Sequence, residues 1–407
     1  MIDFRQVVGH WETSRLEAKR AAGGLPDSIW ETYSAFANTQ GGVILLGVEE
    51  EEDKSLRLCG VKDADEMIDR FWRELRKPRR VSVNLLRRNQ VYRQMEDGLE
   101  IVVIEIPRAS RRQKPVYIGG DPYRGTYRRS GEGDYHCDEA EITAMLRDSA
   151  AAPQDGELVL MLTQDALCRE TIGRYRERLA LMRPKNRLIL LPEEEFLTRI
   201  GVLGTAKDGS LHPTVAGLLL FGREDQIRRQ FPDYYLDYHV VEEETGRWSD
   251  RLTSDSADWS GNVYDFYFMV CDRLPCFLPD GQQAGAKEIA DAVREGLANA
   301  LIHASYHGKQ GIVVACSGSK IVLTNPGGLR VYGTWRGGIS DPRNSTIARL
   351  FALVKVGTGT GSGLARMREA CERNGYPPPR LTEHYGPDRT ELVFRFASAT
   401  CAEKTAE

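Results

Sequence analysis

The chain has 407 residues, of which 41% are hydrophobic and 28% are charged, and its formal net charge is −4. This length suits two or three domains with packed cores. No run of about 18 or more apolar residues occurs, and the N-terminus lacks the basic-then-apolar pattern of a secretion signal, which excludes membrane-spanning and exported classes. We therefore expect a soluble, cytoplasmic protein that makes no membrane contact.

Eight cysteines are scattered along the chain and none forms a C-x-x-C pair. This usage is typical of reduced cytosolic thiols. We expect neither a structural zinc site nor a disulfide framework.

The N-terminal region is predicted to form a strand, a helix and a second strand that ends in acids. Residues 15–19 favour a strand, and residues 29–36 carry apolar side chains at helical spacing. The turn 38–42 contains Asn and two Gly, which tolerate positive φ. Residues 43–48 form a short apolar run, typical of a strand buried on both faces. That strand leads directly into the acids 49–52.

Several of these polar residues could form a metal-binding site. Glu12, Glu17 and Lys19 make an E-x-x-x-x-E-x-K pattern, in which Glu17 and Lys19 point to the same strand face. Glu49, with Glu50 as the neighbouring candidate, follows the buried strand. A lysine beside clustered carboxylates resembles the arrangement that binds a divalent metal and activates water in many nucleases. The alternative is a solvated, charged turn.

Residues 70–130 are strongly basic, with 16 Lys or Arg against 6 Asp or Glu. Such a local excess of positive charge indicates a polyanionic partner. Arginines interleaved with tyrosines suit phosphate pairing and base stacking, and the alternative is a solvated basic face whose tyrosines pack inward. The candidate nucleic-acid-binding residues are Arg79, Arg80, Arg111, Arg112, Lys114, Arg124, Arg128 and Arg129.

The following elements are predicted from apolar periodicity and from Pro and Gly positions. In chain order they are a helix at 63–75, strands at 81–86 and 99–106, a helix at 138–146, a linker at 150–156, a helix at 164–182, a helix opening at 192, a buried apolar segment at 213–222, a strand at 232–241 and a helix at 259–271. The short helices and the polar loop within 203–211 suit either a winged-helix DNA reader or a packing role.

The C-terminal third holds a second set of motifs. Within the predicted helix 287–303, Glu295 and Asn299 are four residues apart and so share one face. Strands at 311–316 and 320–324 end at Asn325 of an N-P-G-G turn. A loop with alternate glycines (Gly357, Gly359, Gly361, Gly363) then opens the helix 364–374. Such a loop is a backbone N–H cradle for phosphates, although its spacing is not that of a Walker loop. The alternative is a solvated helix face beside a flexible lid.

The pattern E-x-x-x-x-E-x-K followed by AFANTQGGVILLGVEE resembles the Schlafen core domain and its bacterial AlbA-like relatives. The resemblance continues through P-x-x-S-x-x-x-x-P-V-Y at 107–117 and Y-x-R-x-G at 127–131. It implies a metal-dependent ribonuclease trio with Mg²⁺ or Mn²⁺, in which Glu12 and Glu17 match and Glu49 stands where Asp is usual. The longer Glu49 side chain would displace its carboxylate by about an ångström, which can slow catalysis about 100-fold.

The order of helix E-x-x-x-N, strand, N-P-G-G and G-x-G-x-G-x-G resembles the GHKL ATPase superfamily, in the divergent form that bacterial AlbA-like proteins carry. The resemblance implies that Glu295 is the general base, that Asn299 holds Mg²⁺ and that the glycine loop covers the phosphates of ATP. Asn325 stands near the position of the Asp that reads adenine. An uncharged amide there should bind more weakly.

Together these features predict an α+β, multidomain protein. The predicted parts are a Schlafen-like mixed α/β domain (1–149), a linker with a small α-rich middle segment (150–280), a GHKL-like α/β sandwich (281–397) and a flexible tail (398–407). We expect an endoribonuclease that acts on tRNA or other RNA, is regulated by ATP and serves a stress or antiphage response. The alternatives are an ATP-responsive, DNA-binding transcriptional regulator that does not cut, and a bare ATPase. We expect RNA rather than DNA as the partner, and a homo-oligomer, a dimer or larger.

Overall fold

The computed structural model describes residues 15–52, 55–131, 133–242, 244–274, 284–331, 340–357 and 361–396. The chain divides into two compact units, Met1–Ala151 and Ala152–Glu407. Within the described ranges, no helix combines the length and the hydrophobicity needed to cross a membrane. The cysteines of the described ranges are free thiols.

The first unit is built on a four-stranded sheet with the order β1-β2-β6-β5, in which β1 runs parallel to β2 and the other pairs are antiparallel. Two further antiparallel pairs, β3–β4 and β7–β8, complete its strands. The elements are β1 (Leu16–Lys19), α1 (Ile29–Asn38), β2 (Gly42–Leu46), β3 (Val48–Glu50), β4 (Leu56–Leu58), α2 (Ala64–Leu75), a 3₁₀ turn (Arg88–Gln90), β5 (Val91–Glu96), β6 (Leu99–Ile106), a 3₁₀ turn (Arg111–Gln113), α3 (Pro122–Gly125), β7 (Tyr127–Ser130), β8 (Gly133–His136) and α4 (Glu139–Ser149).

Strand β2 lies between two apolar clusters, because successive side chains of a strand point to opposite faces. Ile44 and Leu46 pack with the apolar residues of α1 and α2. Val43 and Leu45 pack on the other face with residues of β3 and β6. All five residues of β2 are buried, which confirms the predicted strand buried on both faces.

The last turn of α1 holds the second half of this unit through a buried side-chain amide. Asn38 is fully buried. Its Nδ2 donates to the carbonyl oxygens of Val116 and Tyr127 at 2.7 and 3.0 Å, and its Oδ1 accepts the N–H of Val116 at 2.8 Å. Ser34, one turn earlier, donates to the Val116 oxygen at 2.7 Å and accepts the Tyr127 N–H at 3.0 Å. Val116 lies outside any strand, so these side chains satisfy backbone groups that no sheet partner satisfies.

The predicted strand at 81–86 is wrong, since the chain is irregular there. The Tyr33 hydroxyl accepts the N–H of Leu85 at 2.8 Å and donates to the carbonyl of Val83 at 3.2 Å. Burial raises the pKa of Tyr33 to about 12, which keeps the hydroxyl protonated. A side chain therefore supplies the hydrogen bonds that a neighbouring strand would have supplied. Strand β5 and the pair β7–β8 were not predicted.

The second unit is built on a six-stranded sheet with the order β12-β11-β13-β14-β16-β15, in which only β11 and β13 are parallel among the described pairs. Strands β9 and β10 form a separate antiparallel pair. The elements are 3₁₀ turns (Gln154–Gly156, Gln164–Ala166), α5 (Arg169–Met182), a 3₁₀ turn (Arg187–Leu190), α6 (Glu193–Ile200), β9 (Leu203–Thr205), β10 (Leu211–Pro213), α7 (Val215–Phe221), α8 (Glu224–Gln230), β11 (Leu236–Val241), β12 (Trp248–Thr253), α9 (Val263–Arg273), α10 (Ala284–His303), β13 (Ile312–Ser317), β14 (Lys320–Pro326), α11 (Ser345–Leu353), α12 (Gly363–Arg373), β15 (Arg380–His384) and β16 (Arg389–Arg395).

One hydrophobic core runs through the described residues of the second unit. It joins Tyr175, Phe196 and Phe221 of the predicted middle segment to Val293 and Phe394 of the C-terminal region. Strand β11, also from that middle segment, is part of the six-stranded sheet. The predicted middle segment therefore shares its core with the region that follows residue 281. The sequence left open whether the segment around 203–211 reads DNA or only packs. Helix α6, which precedes the β9–β10 pair, has an acidic first turn that would repel DNA phosphates, and this favours the packing role.

We predict that Asn38→Ala destabilises the first unit by about 3 kcal/mol or more, since buried groups left without partners cost about 1–3 kcal/mol each. Asn89→Ala, at an exposed position of the same unit, is the matched control and should change stability by less than about 0.5 kcal/mol. Urea unfolding followed by tryptophan fluorescence measures both variants. Equal midpoints for the two would contradict the role assigned to Asn38.

Candidate functional site

In the first unit, Glu17 and Lys19 point to the same face of β1, and both oxygens of Glu17 are engaged by cations. Lys19 Nζ lies 2.9 Å from Glu17 Oε1, and Arg129 Nη1 lies 2.9 Å from Glu17 Oε2. The Glu17 side chain is 22% exposed, so water can still reach it. The parallel pairing of β1 with β2 positions this strand face beside the buried core strand.

Arg129 is the buried partner that fixes Glu17. Its side chain is 4% exposed and also contacts Asp134 Oδ1 at 3.0 Å. It donates to the carbonyl of Leu16 at 3.0 Å, and its guanidinium lies 5.2 Å from the centre of the Phe36 ring. Two carboxylates therefore compensate this buried charge, as a buried cation requires.

Glu49 lies on β3, opposite Arg57 of β4. It forms an ion pair with Arg57, and its Oε1 lies 3.8 Å from Arg20 Nη1. Glu50 on the same strand is exposed. In this arrangement Glu49 is surrounded by positive charge.

Across the described residues, no group of three or more His, Cys, Asp or Glu side chains is arranged to hold a metal ion. Glu12, the first acid of the predicted trio, lies outside the described residues. Of that trio, the structure therefore describes Glu17 and Glu49, each bound to arginine.

The predicted nucleic-acid-binding residues fall into two groups. Arg79, Arg112 and Arg124 are exposed, and the Arg124 side chain is 89% accessible. Arg79 packs against the turn at Gly120, where a Cβ would lie 3.0 Å from Arg79 Cδ. Two exposed aromatic side chains, Tyr123 and Tyr135, are 45% and 59% accessible in the same unit.

The other five predicted basic residues are engaged inside the unit. Arg80 binds Glu74 at 2.7 Å and Arg128 binds Glu141 at 3.2 Å. Arg111 donates to the carbonyls of Asp148 and Ala150 at the end of α4, and Lys114 donates to the carbonyl of Asn38. With Arg129, these side chains hold the fold together, so the surface available to a polyanion is smaller than the sequence suggested.

In the second unit, the glycine loop meets the E-x-x-x-N face of α10 at Gly363, the first residue of α12. A Cβ there would lie 2.7 Å from Oε1 of Glu295 and 3.3 Å from Nδ2 of Asn299. The Glu295 side chain is 12% exposed and lies 3.4 Å from Arg366 of α12. A larger residue here would have to displace the Glu295 carboxylate, so the structure brings together two motifs that lie about 60 residues apart in the sequence.

Asn325 and Thr390 are direct cross-strand partners on β14 and β16. Both are buried, at 5% and 8% exposure, and both line the cavity beside Glu295 and Asn299. Thr390 was missed by the sequence analysis. Only the register of β14 against β16 reveals it, because the two residues are distant along the chain.

The C-terminal end of α10 is held by the residues that follow Pro342. Asn344 is buried, and its Nδ2 donates to the carbonyls of Ile302 and Ala304 at 2.9 and 2.8 Å. Arg343 donates to the carbonyl of His303 and, at 3.1 Å, to that of Gly328. The last carbonyl groups of a helix have no hydrogen-bond donor within the helix, and the side chains of Arg343 and Asn344 supply donors here.

Burial and the positive charges of Arg343 and Arg330 lower the pKa of His303 to about 4. The imidazole is therefore neutral at neutral pH. It lines the cavity on the same face of α10 as Glu295 and Asn299, one turn beyond Asn299.

The cavity is lined by α10, the glycine loop and strands β14 and β16, with Gly357, Gly361 and Gly363 in its wall. Gly359 lies outside the described residues. The cavity encloses about 160 Å³. The cavity is therefore smaller than most ligand pockets, which hold about 300–1,000 Å³.

Comparison with protein families agrees with both sequence resemblances. Residues 12–138 match the family described as "Schlafen, AlbA_2", residues 143–237 match "Domain of unknown function (DUF8451)" and residues 309–393 match "Putative ATP-dependent DNA helicase recG C-terminal". The chain thus carries a Schlafen/AlbA_2 domain followed by an ATPase-like domain of the RecG C-terminal type, within a mixed α+β, multidomain fold. The predicted fold class is confirmed.

Two solved structures are similar to parts of the chain. The DIP2311 protein from Corynebacterium diphtheriae is 19% identical over 95% of this chain, with a TM-score of 0.47, and the chain spans 65% of that protein. The N-terminal domain of a putative ATP-dependent DNA helicase RecG-related protein from Nitrosomonas europaea is 27% identical over 33% of this chain and 89% of that domain, with a TM-score of 0.25. The comparison with curated proteins found no match.

Proposed function

We propose that the chain is a nucleic-acid-binding protein whose second unit binds ATP with a divalent metal. The observation that carries the nucleotide proposal is the close approach of Gly363 to Glu295 and Asn299. Carboxylate and amide oxygens suit Mg²⁺, so the residues present fit the ion that the ATPase-like family implies. Bound Mg²⁺ would neutralise phosphate charge, with Asn299 holding the ion and Glu295 acting as the general base. Gly357, Gly361 and Gly363 would offer backbone N–H groups, with Asn325 and Thr390 at the base end.

The first unit would bind the nucleic acid, with RNA favoured over DNA. Arg79, Arg112 and Arg124 supply exposed positive charge, and Tyr123 and Tyr135 supply exposed rings on which bases can stack. The match to the Schlafen/AlbA_2 family supports this assignment. A homo-oligomer, a dimer or larger, is part of the proposal and can be tested by light scattering.

Two activities are compatible with this binding role. A metal-dependent endoribonuclease that uses Glu12, Glu17, Lys19 and Glu49 in a stress or antiphage response is favoured by the Glu17–Lys19 pair on one strand face. A DNA-binding transcriptional regulator that responds to ATP and does not cut is favoured by the arginines that engage Glu17 and Glu49. Cleavage assays separate the two.

For the nucleotide site, we predict that Gly363→Ala weakens ATP binding at least about tenfold, because the added methyl would displace Glu295 and Asn299. Asn299→Ala should weaken binding only when Mg²⁺ is present, since one oxygen ligand is removed. Glu295→Gln should retain binding and stop hydrolysis, as expected of a general base. Isothermal titration calorimetry and phosphate release measure these effects.

Gly375→Ala is the glycine control, because Gly375 follows the C-terminal end of α12 and an added Cβ there would meet open space. Its positive φ introduces some backbone strain. Its ATP affinity should match that of the wild type. The absence of heat on titration of the wild type with millimolar ATP would contradict the nucleotide proposal.

For the basic surface, we predict that the triple variant Arg79→Ala, Arg112→Ala and Arg124→Ala flattens the salt dependence of RNA binding. Each phosphate that the variant no longer neutralises should reduce the log–log slope by roughly 0.7–0.9. A matched triple variant of exposed cations in the second unit, at Lys185, Arg187 and Lys207, should leave the slope unchanged. Fluorescence anisotropy at several salt concentrations measures the slope. An identical slope in both variants would remove the basic surface from the proposal.

For cleavage, tRNA and single-stranded DNA are incubated with Mn²⁺ or with EDTA. We predict that Glu17→Gln abolishes Mn²⁺-dependent cleavage of tRNA and retains binding. Asp134→Asn is the control, because it removes the other carboxylate partner of Arg129 and leaves the proposed nuclease residues intact. Equal loss in both variants would assign Glu17 a structural role. No cleavage by the wild type would favour the regulator.

A further inference from the structure

A second cleft lies in the described part of the second unit, apart from the cavity around Glu295. It holds about 830 Å³, within the range of ligand pockets, and lies along the contact between α5 and α9. No step of the proposed function uses it. Its walls come partly from the segment matched as a domain of unknown function and partly from residues beyond that segment.

Aromatic side chains form part of the wall of this cleft. Trp259, Tyr264 and Phe268 line it, together with Met269. The guanidinium of Arg178 lies 4.2 Å from the centre of the Phe268 ring. The electron-rich face of an aromatic ring attracts cations. The contact between Arg178 and Phe268 shows that the aromatic wall of the cleft can hold a cationic group.

The charges of the cleft are unbalanced. Five carboxylates line it against two guanidinium groups, those of Arg174 and Arg178. Arg174 is bound to the buried Asp265, with its Nη2 2.7 Å from Oδ2. In the described part of the chain, none of the other acids of the cleft forms an ion pair; they are Glu170, Glu177, Asp258 and Asp272. Glu170 accepts a hydrogen bond from the Cys168 thiol at 3.1 Å, and all four acids are exposed, so the rim is acidic and open to solvent.

Four of the five acids lie in two pairs along the cleft, one pair on each helix. Glu170 and Glu177 on α5 are seven residues apart, as are Asp265 and Asp272 on α9. Seven residues of α-helix span about 10 Å. Asp265 is buried and already bound to Arg174, so on α9 the exposed Asp272 is the acid that can attract a ligand cation, one turn beyond Phe268.

We propose that this cleft binds a linear aliphatic polyamine. Ammonium groups at the two ends of such a molecule would meet the carboxylates of the rim, and the methylene chain between them would lie on the aromatic wall. The aromatic surface and the exposed acids of the rim are independent observations that select the same ligand chemistry. Anionic ligands, including nucleotides and nucleic acid, are disfavoured by the excess of carboxylates. The proposal is independent of the ATP site.

The test is calorimetric titration of the full chain with spermidine at physiological salt, together with the fluorescence of the half-buried Trp259. Binding should be saturable and should change that fluorescence. The double variant Glu177→Gln and Asp272→Asn should weaken spermidine about tenfold, since two exposed charge pairs are removed. Both residues are exposed, so the fold should be retained. Phe268→Leu should also weaken binding, because the ring that attracts cations is removed.

The control is the double variant Glu194→Gln and Glu195→Gln on the exposed start of α6, which changes the net charge by the same amount. It should bind spermidine as the wild type does. Equal affinity in both double variants would overturn the proposal, as would displacement of spermidine by Mg²⁺ at equal ionic strength. Capture of a lysine-rich peptide without spermidine binding would assign the cleft to a protein partner instead and would also overturn the proposal.

Discussion

Each unit depends on a buried asparagine that satisfies backbone groups left open by the regular secondary structure. In the first unit, Asn38 at the end of α1 binds the backbone at Val116 and Tyr127. In the second, Asn344 binds two carbonyls at the end of α10. Buried backbone polar groups must be paired, and an amide side chain can donate and accept at the same place. Asn38 thereby joins α1 to the segment that leads into β7, and Asn344 holds the C-terminal end of α10.

Helix α10, which lines the cavity of the second unit, is closely packed on two sides. At Gly296, a Cβ would lie 2.9 Å from Leu323 and 3.1 Å from Leu392, so α10 lies close against the sheet. At Gly363, the opposing helix reaches the carboxylate of Glu295. Helix α10 therefore packs on the sheet at Gly296, and its E-x-x-x-N face contacts the first residue of α12.

The basic segment of the first unit serves two physical purposes. Arg128 and Arg129 are buried with carboxylate partners, because an isolated charge inside a protein is strongly unfavourable. Arg79 and Arg124 remain exposed and can meet phosphates. The buried Arg129 also forms an ion pair with Glu17. The proposed nuclease residue Glu17 is therefore part of the ion-pair network that stabilises the first unit. A nuclease function would have to operate within that network.

The sequence alone determined the features that depend on local periodicity. The buried strand β2, the E-x-x-x-N face of α10 and the glycine-led helix α12 follow from residue spacing, and the two family resemblances follow from the motif order. Only the tertiary structure revealed the contacts of residues whose partners are distant in the chain. Arg129 meets Glu17 across 112 positions, Thr390 pairs with Asn325 across two strands, and the strand expected at 81–86 was replaced by hydrogen bonds from Tyr33. Periodicity reports which side of a segment is buried, whereas the partner that a buried polar group finds depends on how distant segments pack.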